Sequence, residues 1–150
     1  MSSRPLVLPL ALSLASLCAC SLPGSGRAIE VDVEERETRG GVAYTDPRPG
    51  NGEHVRLGWT VVVHYSASLE DGTVFDSSHD RGLPEEFEIG AHTVIRGWEQ
   101  GMLGMRVGGL RRMVIPPDLA WGAEGLPDLV PPDATIHLEV ELLEAKPPAP

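Results

Sequence analysis

Val94-Ile95-Arg96-Gly97-Trp98-Glu99 sets a tryptophan among aliphatic residues at the point where a helix should begin. From there Ile95, Trp98, Met102 and Met105 recur at three- and four-residue spacing, the period of one helix face. Gly97, Gly101 and Gly104 interrupt the pattern, and each costs up to about 1 kcal/mol relative to alanine. The spacing therefore predicts a helix of only two or three turns, held by packing.

On both sides the chain reads as strand. Thr60 to Leu69 alternates, with Val61, Val63, Tyr65, Ala67 and Leu69 on one face and Val62, His64, Ser66 and Ser68 on the other. Asp71-Gly72 is a hairpin signal, and Thr73 to Asp76 reads as the returning strand. Thr135 to Leu143 repeats the alternation with Ile136, Leu138, Val140 and Leu142 inward. Phe87 to Ile89 and Arg112 to Ile115 add shorter strands, the second stopped by Pro116-Pro117. The expected fold is α+β, a twisted antiparallel sheet wrapped around one short α-helix. Pro116 to Asp133 is irregular, but Trp121, Leu129 and Val130 give it apolar weight, so an ordered flap is expected.

The first residues differ from the rest. Arg4 precedes an apolar run from Leu6 to Leu17 that is short for a bilayer span, which needs about 20 apolar residues, and reads as an export signal. Both cysteines follow it, Cys18 and Cys20, and the five histidines (His54, His64, His79, His92, His137) are scattered singly. No metal site and no cofactor is expected. Ser21 to about Gly41 is polar and reads as a tether, although Ile29, Val31 and Val33 alternate with acids as an edge strand would. The chain carries 22 acidic against 12 basic side chains, a net charge of −10, which excludes an electrostatic nucleic-acid surface.

The motifs then converge. Val62-Val63-His64-Tyr65, Leu69-Glu70-Asp71-Gly72, Phe75-Asp76-Ser77-Ser78, Val94 to Glu99, Met105-Arg106-Val107-Gly108, Ile115-Pro116-Pro117, Pro131 to Thr135 and Val140-Glu141-Leu142-Leu143 together resemble the FKBP-type peptidyl-prolyl isomerases, in that family's order and spacing. The resemblance runs from about Gly50 to Glu144. It implies an isomerase of X–Pro bonds in exported proteins, acting without a covalent intermediate on prolyl-containing polypeptides. Macrolides such as tacrolimus and rapamycin are the ligands it suggests. A non-catalytic proline-segment binding module or chaperone on the cell envelope is the alternative.

By the same resemblance Trp98 is the pocket floor, with Val94 and Ile95 beside it and the Ile95 N–H reaching a carbonyl of the bound peptide. Tyr65 and Phe75 are walls, and Asp76 is held by Tyr65 and Arg81. Trp121, Leu129, Val130 and Leu138 complete the mouth and back wall. Without the motif, Trp98 on a helix face would read simply as core. Three positions depart from the family's commonest pattern: Glu85 for an aromatic residue, Trp121 for tyrosine and Leu138 for phenylalanine. The pocket should thus be less aromatic and more acidic at its rim.

Leu17 to Cys20 resembles a bacterial lipoprotein signal, which makes Cys20 the acylated residue and the membrane a partner through a lipid anchor. Ser21 after it, by the same analogy, implies an outer-membrane lipoprotein facing the periplasm; ordinary cleavage to a soluble exported protein is the alternative. The expected organisation is a signal peptide over 1–19, a tether over 20–43, an isomerase domain over 44–146 and a proline-rich tail over 147–150.

Overall fold

The computed structural model describes residues 34–150. The leader, Cys20 and the alternation at Ile29 to Val33 lie outside the described residues. Among the described residues seven strands make one antiparallel sheet: β1 (Arg36–Glu37), β2 (Ala43–Arg48), β3 (Thr60–Leu69), β4 (Val74–Ser77), β5 (Glu85–Glu88), β6 (Leu110–Ile115) and β7 (Ile136–Lys146). Their order is β1-β2-β6-β7-β3-β4, and β5 shares with β4 the other edge of β3. The expected α+β architecture is what forms, with α2 (Arg96–Met102) as the short helix. A single turn, α1 (Ser78–Arg81), follows β4 without any apolar periodicity to announce it.

Period-two alternation decides which face is buried. Val61, Val63, Tyr65 and Ala67 of β3 point inward with Ile136, Leu138, Val140 and Leu142 of β7, and Met113 and Ile115 of β6 join them. Trp98 and Met102 of α2 press onto this layer. Gly97 and Gly101 face β6 so closely that an added Cβ would lie under 3.0 Å from Ile115 or Met113. The glycines that weaken the helix as a helix are what let its backbone approach the sheet.

The folded part begins earlier than the boundary at residue 44. Arg36 and Glu37 pair with Tyr44 and Ala43, and Val42, expected in the tether, is fully buried in the core. The sequence hides β2 because Asp46 and Pro47 argue against a strand. Pro47 is tolerated because β1 covers only Ala43 and Tyr44, leaving an open edge beside it, and because the β2–β6 register is irregular between Thr45 and Arg48.

Arg111 anchors this added strand. Its guanidinium, almost fully buried, binds Asp46 of β2 through two bonds of 2.6 and 2.9 Å. It also donates to the Gly101 carbonyl at 2.6 Å and the Leu103 carbonyl at 3.3 Å, satisfying the orphan end of α2. The Tyr44 ring lies 4.2 Å beneath it. The flap Pro116 to Asp133 is ordered, opening with a 3-10 turn (Pro117–Leu119) and closing on a bridge between Leu126 and Val130. Residues 147–150 are exposed and without regular structure.

Candidate functional site

Tyr65 reaches the site because alternation along β3 turns it inward, and the β3–β4 hairpin brings Asp76 opposite Ala67. The chain then makes α1, whose start is capped by Ser77 Oγ accepting from the Asp80 N–H. That turn sends Arg81 back over β4. Tyr65 donates its hydroxyl proton to Asp76 Oδ2 at 2.6 Å, while Arg81 Nη1 donates to Asp76 Oδ1. Arg81 Nη2 donates to the Tyr65 oxygen at 2.9 Å and to Glu85 Oε2 at 3.3 Å. Burial, and then the bond to Asp76, push the Tyr65 phenol up to about 12, so the hydroxyl keeps its proton at neutral pH. The bond to Tyr65 holds the Arg81 guanidinium above its ordinary value.

Ser78 locks this arrangement from behind. Fully buried, it accepts the Tyr65 N–H at 2.8 Å and meets His64 Nδ1 at 2.9 Å. It replaces a ladder bond where α1 crosses the strand, a role the motif Phe75-Asp76-Ser77-Ser78 conceals behind ordinary turn residues.

Trp98 sits in the first turn of α2, just after Ile95, which caps the helix with extended backbone. Tyr65 and Phe87 meet the indole edge to face, with centroids at 4.6 and 5.1 Å and planes at 61° and 68°. Two rings at steep angles fix its orientation. Its Nε1 is buried and has no hydrogen-bond partner among the described residues. The Ile95 carbonyl accepts the Trp98 N–H at 3.0 Å, whereas the Ile95 N–H, preceding the helix, lies outside its ladder.

A cavity of about 430 Å3 opens above the indole, the size of a small-ligand site. Trp98, Val94 and Ile95 line it from the helix side, and Tyr65, Phe75 and Asp76 from the sheet. Trp121 and Leu138 complete it, with the Trp121 ring edge to face against Phe75 at 5.8 Å. Leu129 and Val130 are not among its lining residues. Val130 is buried in the core and Leu129 is half-exposed on the flap, because the Leu126–Val130 bridge folds this segment on itself.

Sequence reasoning missed four lining residues: Ala67, Ile136, His92 and Thr93. The first two lie on the inward faces of β3 and β7, so the alternation alone could have found them. His92 and Thr93 directly precede Val94 in a segment where His92 has φ +60. Glu99 holds that unfavourable backbone, its buried carboxylate accepting from the His92 N–H at 2.8 Å, the His92 ring at 3.1 Å and the Gly90 N–H at 3.2 Å. A second hollow of about 460 Å3 lies on the sheet's other face, lined in part by Ser66, Ser68, Arg112, His137 and Glu139. Tyr44, Met113 and Val114 give it an apolar part as well, and Trp98 does not line it.

The fold agrees with that of the chain's relatives. The model for FKBP-type peptidyl-prolyl cis-trans isomerase matches residues 51–143. FK506-binding protein 2 of Yarrowia lipolytica is 52% identical over 91 residues, covering 61% of this chain and 63% of that one. FK506-binding protein 1 of Dictyostelium discoideum is 43% identical over 106 residues, covering 71% and 99%. Among solved structures, FkpA from Escherichia coli superposes with a TM-score of 0.70 at 40% identity, covering 75% of this chain and 52% of that one. The chain thus spans less than two thirds of the Yarrowia protein and about half of FkpA. It belongs to the FKBP-type peptidyl-prolyl cis-trans isomerase family, and the domain built around Trp98 is its isomerase domain.

Proposed function

We propose that this protein accelerates cis–trans isomerisation of peptidyl-prolyl bonds in exported polypeptides, with the proline ring on the Trp98 indole. The carrying observation is the cavity itself, whose indole floor is clamped by Tyr65 and Phe87 while its walls offer rings and aliphatic groups. An X–Pro bond faces a rotational barrier of about 18–20 kcal/mol that originates in amide resonance. The planar amide is more charge-separated than the twisted transition state, so water favours the ground state. Apolar walls remove that advantage and lower the barrier, and each 1.4 kcal/mol is worth about tenfold in rate. No bond breaks, so the reaction requires neither nucleophile nor general base.

The Ile95 N–H is suited to hold a substrate carbonyl next to the proline. Asp76, fixed by Tyr65 and Arg81, presents a fixed charge to the wall where the amide rotates. Relaxation of a prolyl tetrapeptide from cis to trans, followed with micromolar protein, tests the reading. A rate equal to the blank would refute it. Binding of the same peptide without acceleration would select the non-catalytic module or envelope chaperone, a reading favoured by Glu85 standing at the cavity where the family usually has an aromatic wall.

The FK506-binding names of the relatives suggest a macrolide such as tacrolimus or rapamycin as a ligand of the same cavity. Leu138 and Glu85 present less aromatic surface to it than the family pattern would, which points to weaker binding.

Acylation at Cys20 would give the protein a membrane partner and place it in the cell envelope, on the periplasmic side of the outer membrane. The Leu17-Cys18-Ala19-Cys20 sequence supports this reading, since several acyl chains anchor stably where a single chain is marginal. Mass spectrometry of the mature N-terminus tests it: an unmodified product, or one starting beyond Cys20, would select the soluble exported form.

A further inference from the structure

The cavity wall carries two carboxylates, and Arg81, expected at the site, stands behind them rather than on the lining. Asp76 and Glu85 both line it, and Arg81 is the guanidinium that bridges them. Arg81 divides its bonds unequally. Nη1 is committed to Asp76, and Nη2 divides between the Tyr65 oxygen at 2.9 Å and Glu85 Oε2 at 3.3 Å. Glu85 is therefore the loosely held member. Its register partner Val63 points into the core, which sets Glu85 on the cavity side of β5. Its side chain is 45% exposed, so a cation arriving with a peptide can reach it.

We infer that Glu85 selects substrates carrying a lysine or arginine adjacent to the proline. This rests on the isomerase reading and deepens it. Opposite charge at the rim attracts a basic side chain, and with the chain at −10 overall the approach is favoured from a distance as well. An acidic neighbour of the proline meets repulsion from the same group. His92, which also lines the cavity, lies 3.1 Å from Glu99 and so is directed to a carboxylate of its own. Because Glu85 is half-exposed, the effect is that of an exposed ion pair, about two- to fivefold.

Two peptide sets test it, one with Lys, Leu or Glu immediately before proline and one with the same residues immediately after. kcat/KM is measured for each at low and at high salt, and affinity is followed by tryptophan fluorescence. The expected result is a Lys-over-Glu ratio of about two- to fivefold in at least one set, reduced by salt, abolished in Glu85→Gln and retained in Glu85→Asp. A ratio unchanged by Glu85→Gln in both sets, or no ratio at all, overturns the inference while leaving the isomerase intact if Leu-Pro peptides are turned over. If no peptide is turned over, the isomerase reading fails, and the fluorescence affinities still decide whether Glu85 selects charge.

Discussion

Gly97 lies so near Ile115 that a methyl group on its Cα would sit under 3.0 Å from that side chain. The contact fixes how deep α2 sinks into the sheet, and hence the height of the Trp98 floor one residue later. Replacing Gly97 with alanine adds a better helix former yet should destabilise the domain by about 1–3 kcal/mol through overpacking. Chemical denaturation measures the loss. An unchanged midpoint would mean that helix and sheet are free to separate.

Trp98 is the next target. Trp98→Ala removes both the platform and part of the core, and should cut kcat/KM by tenfold or more while costing about 3–5 kcal/mol of stability. Trp98→Leu, which keeps apolar volume, should recover much of the stability and little of the activity. Measuring both quantities on both variants separates the floor from the core.

Tyr65 makes a pH prediction with a defined sign. Its folded-state pKa is raised to about 12, so its contribution to stability is complete below the ordinary phenol value near 10 and is lost as pH rises from there through 12. Allowing for the half-exposed Asp76 and Arg81 that share the network, the loss should be roughly 1–2 kcal/mol. Tyr65→Phe should lack this alkaline limb, and denaturation at pH 9 and pH 12 would show it.

Arg111→Ala should cost about 3–5 kcal/mol, because it leaves Asp46 and the Gly101 carbonyl without their buried partner. Arg111→Ala with Asp46→Ala should cost less than the sum of the two single changes. A strictly additive double mutant would show that the pair is not coupled.

The sheet and helix were readable because they obey simple periods: alternation in Thr60 to Leu69 and Ile136 to Leu143, and three- and four-residue spacing from Ile95 to Met105. β1 and β2 escaped because their stability is borrowed from distant partners, the Arg111 guanidinium and the β6 strand. Of the site, Trp98, Tyr65, Phe75 and Asp76 could be anticipated only through their joint occurrence. Ser78 and Glu99 could not, since each acts through a backbone N–H that no side-chain pattern advertises. Leu129 and Val130 were drawn away from the cavity by a local bridge within the flap.

The pairing of β3 with β7 has a consequence for how the domain comes into being. Residues 60–69 find their longest partner at 136–146, so the centre of the sheet closes only across the intervening chain. Such long-range closure slows folding. During vectorial synthesis the sheet cannot be completed until Lys146 has emerged. A chain made N-terminus first therefore stays extensible for most of its synthesis and closes the walls around Trp98 only on release.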